Sequence, residues 1–93
     1  MAAEPESRLM ACIYILEENC SPPTFSDIEW VLKEFGEEEI ARRLATYLER
    51  LELEGKAVKS YEVINGAQVS TVWRVNPEYR ERAKNLAHEI IKA

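Results

Sequence analysis

Asn65-Gly66 stands between two stretches of alternating character, Lys56 to Ile64 and Ala67 to Val75, and Gly55 comes just ahead of the first. Asn and Gly both tolerate positive φ, which the tight turns that match strand twist require, so this dipeptide predicts a β-hairpin. Read as a two-residue turn, it sets Val58 opposite Trp73 and Ser60 opposite Thr71. Val58, Trp73 and Val75 then share the inward face, while Lys59, Tyr61, Gln68, Ser70 and Arg74 share the outer one. A lone hairpin is marginal in water, so the remaining residues must cover its inward face.

Those residues read as helix. The prolines Pro5, Pro22, Pro23 and Pro77 punctuate segments without interrupting them. From Pro5 to about Glu18, Leu9, Cys12, Ile13 and Leu16 fall on one helical stripe, and Met10, Tyr14 and Ile15 spread the apolar surface almost all round. Such a helix wants cover from a later helix or from a second copy of the chain. Ser26-Asp27-Ile28-Glu29 matches a capping box with Phe25 and Trp30 at the staple positions, and Gly36 supplies the stop of a short second helix. One continuous third helix is expected from about Glu37 to Glu54, with Ile40, Leu44, Tyr47, Leu48 and Leu51 on one side. Asn76-Pro77-Glu78 is an N-cap, a proline at the first helical position and a first-turn acid, so a last helix should fill Pro77 to about Lys92. Its stripe is Tyr79, Ala83, Leu86, Ala87, Ile90 and Ile91. Trp30 and Trp73 read as core.

The chain has 93 residues and 46% apolar content, enough for one core and one domain of α+β, mostly α class, with residues 1–5 as a flexible tail. No apolar run approaches the eighteen or so positions of a membrane span, and Met1 to Ser7 is acidic and polar where a signal peptide is basic and then apolar. A cytoplasmic protein without membrane contact is expected. Cys12 and Cys20 are eight apart, about 12 Å along a continuous helix and too far to bridge, so both read as free thiols. Neither a metal set nor a nucleophile pair accompanies them or His88, and Gly36, Gly55 and Gly66 sit at turns and form no phosphate loop. No enzyme activity, metal or cofactor is expected.

The net charge of -5 is unevenly placed. Residues 1–39 hold ten acids against Arg8 and Lys33, a net of -8, whereas residues 40–93 hold ten bases against seven acids, a net of +3. A surface meant for phosphate therefore belongs to the second half.

The run Leu48-Glu49-Arg50-Leu51-Glu52-Leu53-Glu54-Gly55-Lys56-Ala57-Val58 looks like the end of a recognition helix turning into a wing, and Trp73-Arg74-Val75-Asn76 looks like the closing wing strand. Over roughly residues 8 to 92 the chain resembles the winged helix-turn-helix family of transcription regulators of small archaeal or bacterial type. The resemblance implies a three-helix core, a two-stranded hairpin wing and a C-terminal helix. It also implies double-stranded DNA as partner, with helix 37–54 in the major groove and wing 56–75, through Lys59, Gln68 and Arg74, along the backbone.

The residues themselves point the same way, with an opposing feature. On the third helix Arg42, Arg43, Thr46 and Arg50 gather on one flank and Glu38, Glu49 and Glu52 on another, and arginine can grip a guanine edge or a phosphate with paired hydrogen bonds. The same arginines can instead balance neighbouring glutamates, as Glu39 with Arg43 at i and i+4. Glu37, Glu38 and Glu39 suit the helix dipole but repel phosphate where a reading helix would enter the groove. The leading expectation is a homodimeric DNA-binding regulator joined through the first and last helices, at Tyr14, Tyr79, Leu86 and Ile90. The alternative is an interaction module whose acids Glu17, Glu18, Glu34 and Glu37 to Glu39 meet a basic protein partner.

Overall fold

The computed structural model describes residues 4–64, 66 and 68–92. Asn65 of the expected turn and residues 1–3 of the expected tail lie outside these residues, as does the side chain of Gln68. The fold is small, mostly helical α+β: α1 (Pro5–Asn19), α2 (Phe25–Glu34), α3 (Glu38–Arg42), α4 (Leu44–Leu53), β1 (Ala57–Ile64), β2 (Gln68–Val75) and α5 (Arg80–Lys92). The two strands form one antiparallel sheet.

Helix α1 opens with Pro5 and is the centre of the packing. Leu9, Met10, Ala11, Cys12 and Ile13 are all buried, and a run of five covers more than one turn, so the helix is enclosed from every side there. α5 makes the most extensive contact with it, and β2, α4 and α2 supply the rest. Ala83 and Ala87, both buried, bring α5 close, while Tyr14, Tyr79 and Leu86 pack partly buried against the same core. A later helix, α5, thus supplies cover over Leu9 to Ile13, while Tyr14, Ile15 and Leu16 stay half-buried.

The cap of α2 differs from the sequence expectation. Thr24, not Ser26, is the N-cap: its Oγ1 accepts from the Asp27 N–H at 3.2 Å, and Asp27 Oδ2 accepts from the Thr24 N–H at 3.1 Å. The helix starts this early because the chain just before it is held to the sheet. The Trp73 N–H donates to the Pro23 carbonyl at 3.0 Å and Thr24 bridges Val72. From that start Ile28 and Leu32, one turn apart, are the buried positions. Trp30 follows Ile28 by two residues, about 200° round the helix, and is 64% exposed, which overturns its reading as core and as a staple. Phe25, the first helical residue, instead meets Trp73 with ring centroids 6.3 Å apart.

At the end of α2 the Glu37 N–H donates to the Leu32 carbonyl at 2.8 Å and the Gly36 N–H to that of Lys33 at 3.1 Å, a Schellman motif whose left-handed residue is Gly36 at φ 76°. The same pair of bonds recurs at Gly55 after α4. Between these stops the expected single helix is broken. Arg43 takes φ -112°, ψ 27°, and its N–H donates to Ile40, three residues back and not four, at 3.2 Å. The tightened turn separates α3 from α4 without disturbing the stripe: Ile40, Leu44, Leu48 and Leu51 are buried and Tyr47 partly so.

The hairpin register is one residue off the two-residue-turn expectation. Val58 lies opposite Arg74, Lys59 opposite Trp73, and Ile64 opposite Gln68, which leaves three residues at the turn, Gly66 among them at φ 78°. A shift of one residue exchanges the faces of β1. Ala57, Trp73 and Val75 are therefore buried on one face, Val58 is 44% exposed, and Lys59 and Tyr61 lie on the Trp73 side while Ser70, Arg74 and the buried Val72 lie on the other. Asn76 closes the base: its Nδ2 donates to the Gly55 carbonyl at 2.6 Å, its N–H to that of Lys56 at 2.9 Å, and its Oδ1 accepts from the Glu78 N–H at 3.0 Å. Pro77–Tyr79 is a 3-10 turn, so α5 begins at Arg80, three residues later than expected.

Thr24→Ala is expected to cost about 1 kcal/mol, the usual loss when a threonine cap is removed, and Ser26→Ala no more than a few tenths. Urea denaturation of the two variants checks this, and equal losses would show that the box is not centred on Thr24.

Candidate functional site

Helix α4 presents three sides. Leu44, Leu48 and Leu51 enter the core. Arg43, Thr46 and Arg50, spaced three and four apart, follow one exposed flank, and Ala45, Glu49 and Glu52 follow the opposite flank toward the hairpin. Thr46, Glu49 and Leu53 stand on the line between the flanks, farthest from the core, and Leu53 is 80% exposed.

The arginine flank carries its own counter-ions. Arg42 and Arg43 both reach Glu39, Arg43 at 3.5 Å, the i and i+4 pair anticipated from the sequence. Arg50 lies 3.6 Å from Glu6 at the start of α1 and over the Tyr47 ring at 5.8 Å. On the hairpin, Lys59 is 3.9 Å from Glu52 and Arg74 is 2.7 Å from Glu62. Five basic candidates thus meet the four carboxylates of Glu39, Glu6, Glu52 and Glu62. Thr46 is exposed beside them. Residues 37–54 hold Glu37, Glu38, Glu39, Glu49, Glu52 and Glu54 against three arginines, a formal -3 on the very helix that a DNA reading places against phosphate.

The acids of the alternative reading are also partly engaged. Arg80 pairs with Glu18 and, at 3.1 Å, with Glu17, while lying 5.4 Å from the centre of the Tyr14 ring. Glu17 further accepts the Val75 N–H at 3.1 Å, and Glu37 holds Arg8. Glu34 and Glu38 keep solvent-facing side chains. Half of those six carboxylates, Glu17, Glu18 and Glu37, therefore fasten α1 to β2, α5 and the α2–α3 turn.

A different surface emerges at the hairpin. The face that buries Ala57, Trp73 and Val75 at its base continues outward through Tyr61, Val63 and Val69, all about two-thirds exposed, with Val63 directly opposite Val69. Between the base of the hairpin, at Lys59 and Trp73, the first residue of α2, Phe25, and the α4 residues Ala45, Leu48, Glu49, Glu52 and Leu53 lies a cleft of about 460 Å³. Sequence reasoning missed it because the two-residue turn put Tyr61 on the opposite side from Trp73. Leu53, outside the apolar stripe of its own helix, was the available signal.

Burial and the nearby Glu37 carboxylate push the Cys12 thiol up to about 12, which leaves it un-ionised and unreactive, whereas Cys20 is exposed. Among the described residues no three metal-ligating side chains cluster, and no helix is long and apolar enough to cross a membrane. No protein-family model, no curated protein and no solved structure matches the chain.

Glu6 and Glu54 share a hydrogen bond. Burial, then that bond, raises the Glu6 carboxyl, and the same bond, aided by Lys56, lowers Glu54. Glu6 is therefore the member of the pair that takes up a proton first as pH falls. Its contribution to stability is present at low pH and is lost as pH rises through its raised value, when two carboxylates face each other; that of Glu54 is lost only as pH falls through its lowered value. Glu6→Gln keeps a neutral partner for Glu54, so thermal midpoints followed from about pH 4 to 8 are expected to fall less on the alkaline side than in the parent. An unchanged pH profile would dismiss the shared proton.

Proposed function

We propose that this chain is a winged-helix module that binds a protein partner through the surface shared by α4 and the hairpin. The observation that carries this reading is the line Thr46, Glu49 and Leu53 on α4, which turns away from the core exactly where a groove-reading helix needs cations. An acid and a largely solvated leucine at that place offer nothing to phosphate, and both suit a polypeptide. Tyr61, Val63 and Val69 extend the apolar part of the surface. Exposed apolar side chains gathered on one side of a hairpin, beside a cleft lined by Leu53 and rimmed by charge, mark a protein contact more than an accident of composition.

A second reading, the homodimeric DNA-binding regulator, is favoured by one observation: Arg42 and Arg43 share a single carboxylate, and both are mostly exposed. Exposed ion pairs contribute little, roughly 0–1 kcal/mol, so a phosphate can displace Glu39 at small cost. In that reading affinity is modest, because about three phosphate contacts are available on the helix. The dimer must then use surface that α1 and α5 leave uncovered, such as half-buried Ile90 and exposed Phe35.

Electrophoretic shift of random duplex DNA at about 50 mM salt separates the two. The protein-binding reading expects no shift by the parent chain. A salt-sensitive complex that tightens in Glu39→Gln and disappears in Arg43→Ala/Arg50→Ala would establish the second reading, with light scattering after size exclusion reporting the dimer it needs.

A further inference from the structure

The hairpin has two unlike faces. One buries Val72 beside the Thr24 bridge and outside it carries Ser70 and the paired Glu62 and Arg74. The other is core at its base and apolar at its outer end, where Tyr61, Val63 and Val69 are each about two-thirds exposed. The cleft beside it is floored by Leu48 and Trp73, and its rim is anionic. Glu49 has no ion-pair partner among the described residues, and Glu52 has only Lys59, at 3.9 Å.

From this juxtaposition we infer that the cleft takes an amphipathic segment of a partner protein in which apolar side chains are accompanied by lysine or arginine. The inference rests on the protein-binding reading and adds the chemistry of the occupant. Apolar side chains fill the cleft and cover Leu53 and the hairpin overhang, and a cation answers Glu49 and relieves the crowded Glu52 wall. A second copy of the chain docked by the same surface would set Glu49 and Glu52 of each protomer against their equivalents, on molecules that each carry -5. Nucleic acid meets the same repulsion.

Three synthetic peptides with one leucine pattern and with lysine, glutamine or glutamate at the polar positions test the inference. Binding is read by anisotropy of a peptide label and by the indole N–H resonance of Trp73, whose buried Nε1 makes no hydrogen bond. The lysine peptide is expected to bind roughly tenfold more tightly than the glutamate peptide and to move that resonance. Glu49→Lys/Glu52→Lys should reverse the order, Leu53→Asp should weaken every peptide, and Glu34→Lys on α2 should change neither. Equal binding of all three peptides, indifferent to the charge reversal, overturns the assigned chemistry while leaving a protein-binding surface. Binding of the lysine peptide that survives both cleft variants overturns the site. If no peptide binds the inference falls, and a DNA shift in the same preparation would remove the protein-binding reading with it.

Discussion

Enclosure of α1 is the constraint on which the other elements depend. A helix buried over five successive residues cannot be served by one neighbour, so α5, α4, α2 and β2 all direct apolar side chains at it. Side chains as large as Leu9 and Ile13, when fully buried, contribute roughly 1.5–3 kcal/mol each. The surrounding helices have only one such side apiece to give. What α4 and the hairpin leave outward is therefore a surface whose composition packing did not dictate, and its leucine, tyrosine and valines need another explanation.

Electrostatics adds a second layer. The chain is acidic overall, yet many of its carboxylates serve as internal ties: Glu17 and Glu18 to Arg80, Glu37 to Arg8, and Glu6 to Arg50 across the α1–α4 junction. These contacts are at or near the surface, where each pair contributes little by itself, but together they orient long side chains and consume positive charge. The result is a helix, α4, whose arginine is compensated while Glu49 has no ion-pair partner among the described residues. Net charge by halves of the sequence pointed to phosphate in residues 40–93; the spatial arrangement mixes the halves, because acids of α1 sit against bases from the end of the chain.

Much of the architecture was legible in the sequence because local chemistry and tertiary packing agree. Pro5, Asn76-Pro77 and the two glycines after α2 and α4 punctuate the helices as expected, and the stripe from Ile40 to Leu51 faces inward even across an unforeseen break. The failures share one cause. Where two local readings were nearly equivalent, a long-range contact chose between them. Ser26 and Thr24 both offer a hydroxyl three residues before an acid, and the bond from Trp73 to Pro23 selects Thr24. Two- and three-residue turns both accommodate Asn-Gly, and burial of Ala57 in place of Val58 goes with the longer one. The second choice hid the candidate surface, since it decides which side of the hairpin Tyr61 and Val63 occupy. Arg42, Arg43, Thr46 and Arg50 were placed correctly on the exterior, but a one-dimensional projection has no means of showing that Glu6 arrives from another helix.

Asn76 joins the end of β2 to the residues that begin β1 and also caps the turn into α5. The hairpin thus leaves and re-enters the body through a single cinched collar, with α4 ending on one side of it and α5 starting on the other. A force on the outer strands is delivered to the last turn of α4 and the first turn of α5 at once. The hairpin shares this anchor with the start of α5, so a displacement of its outer strands would be felt in the packing around α1.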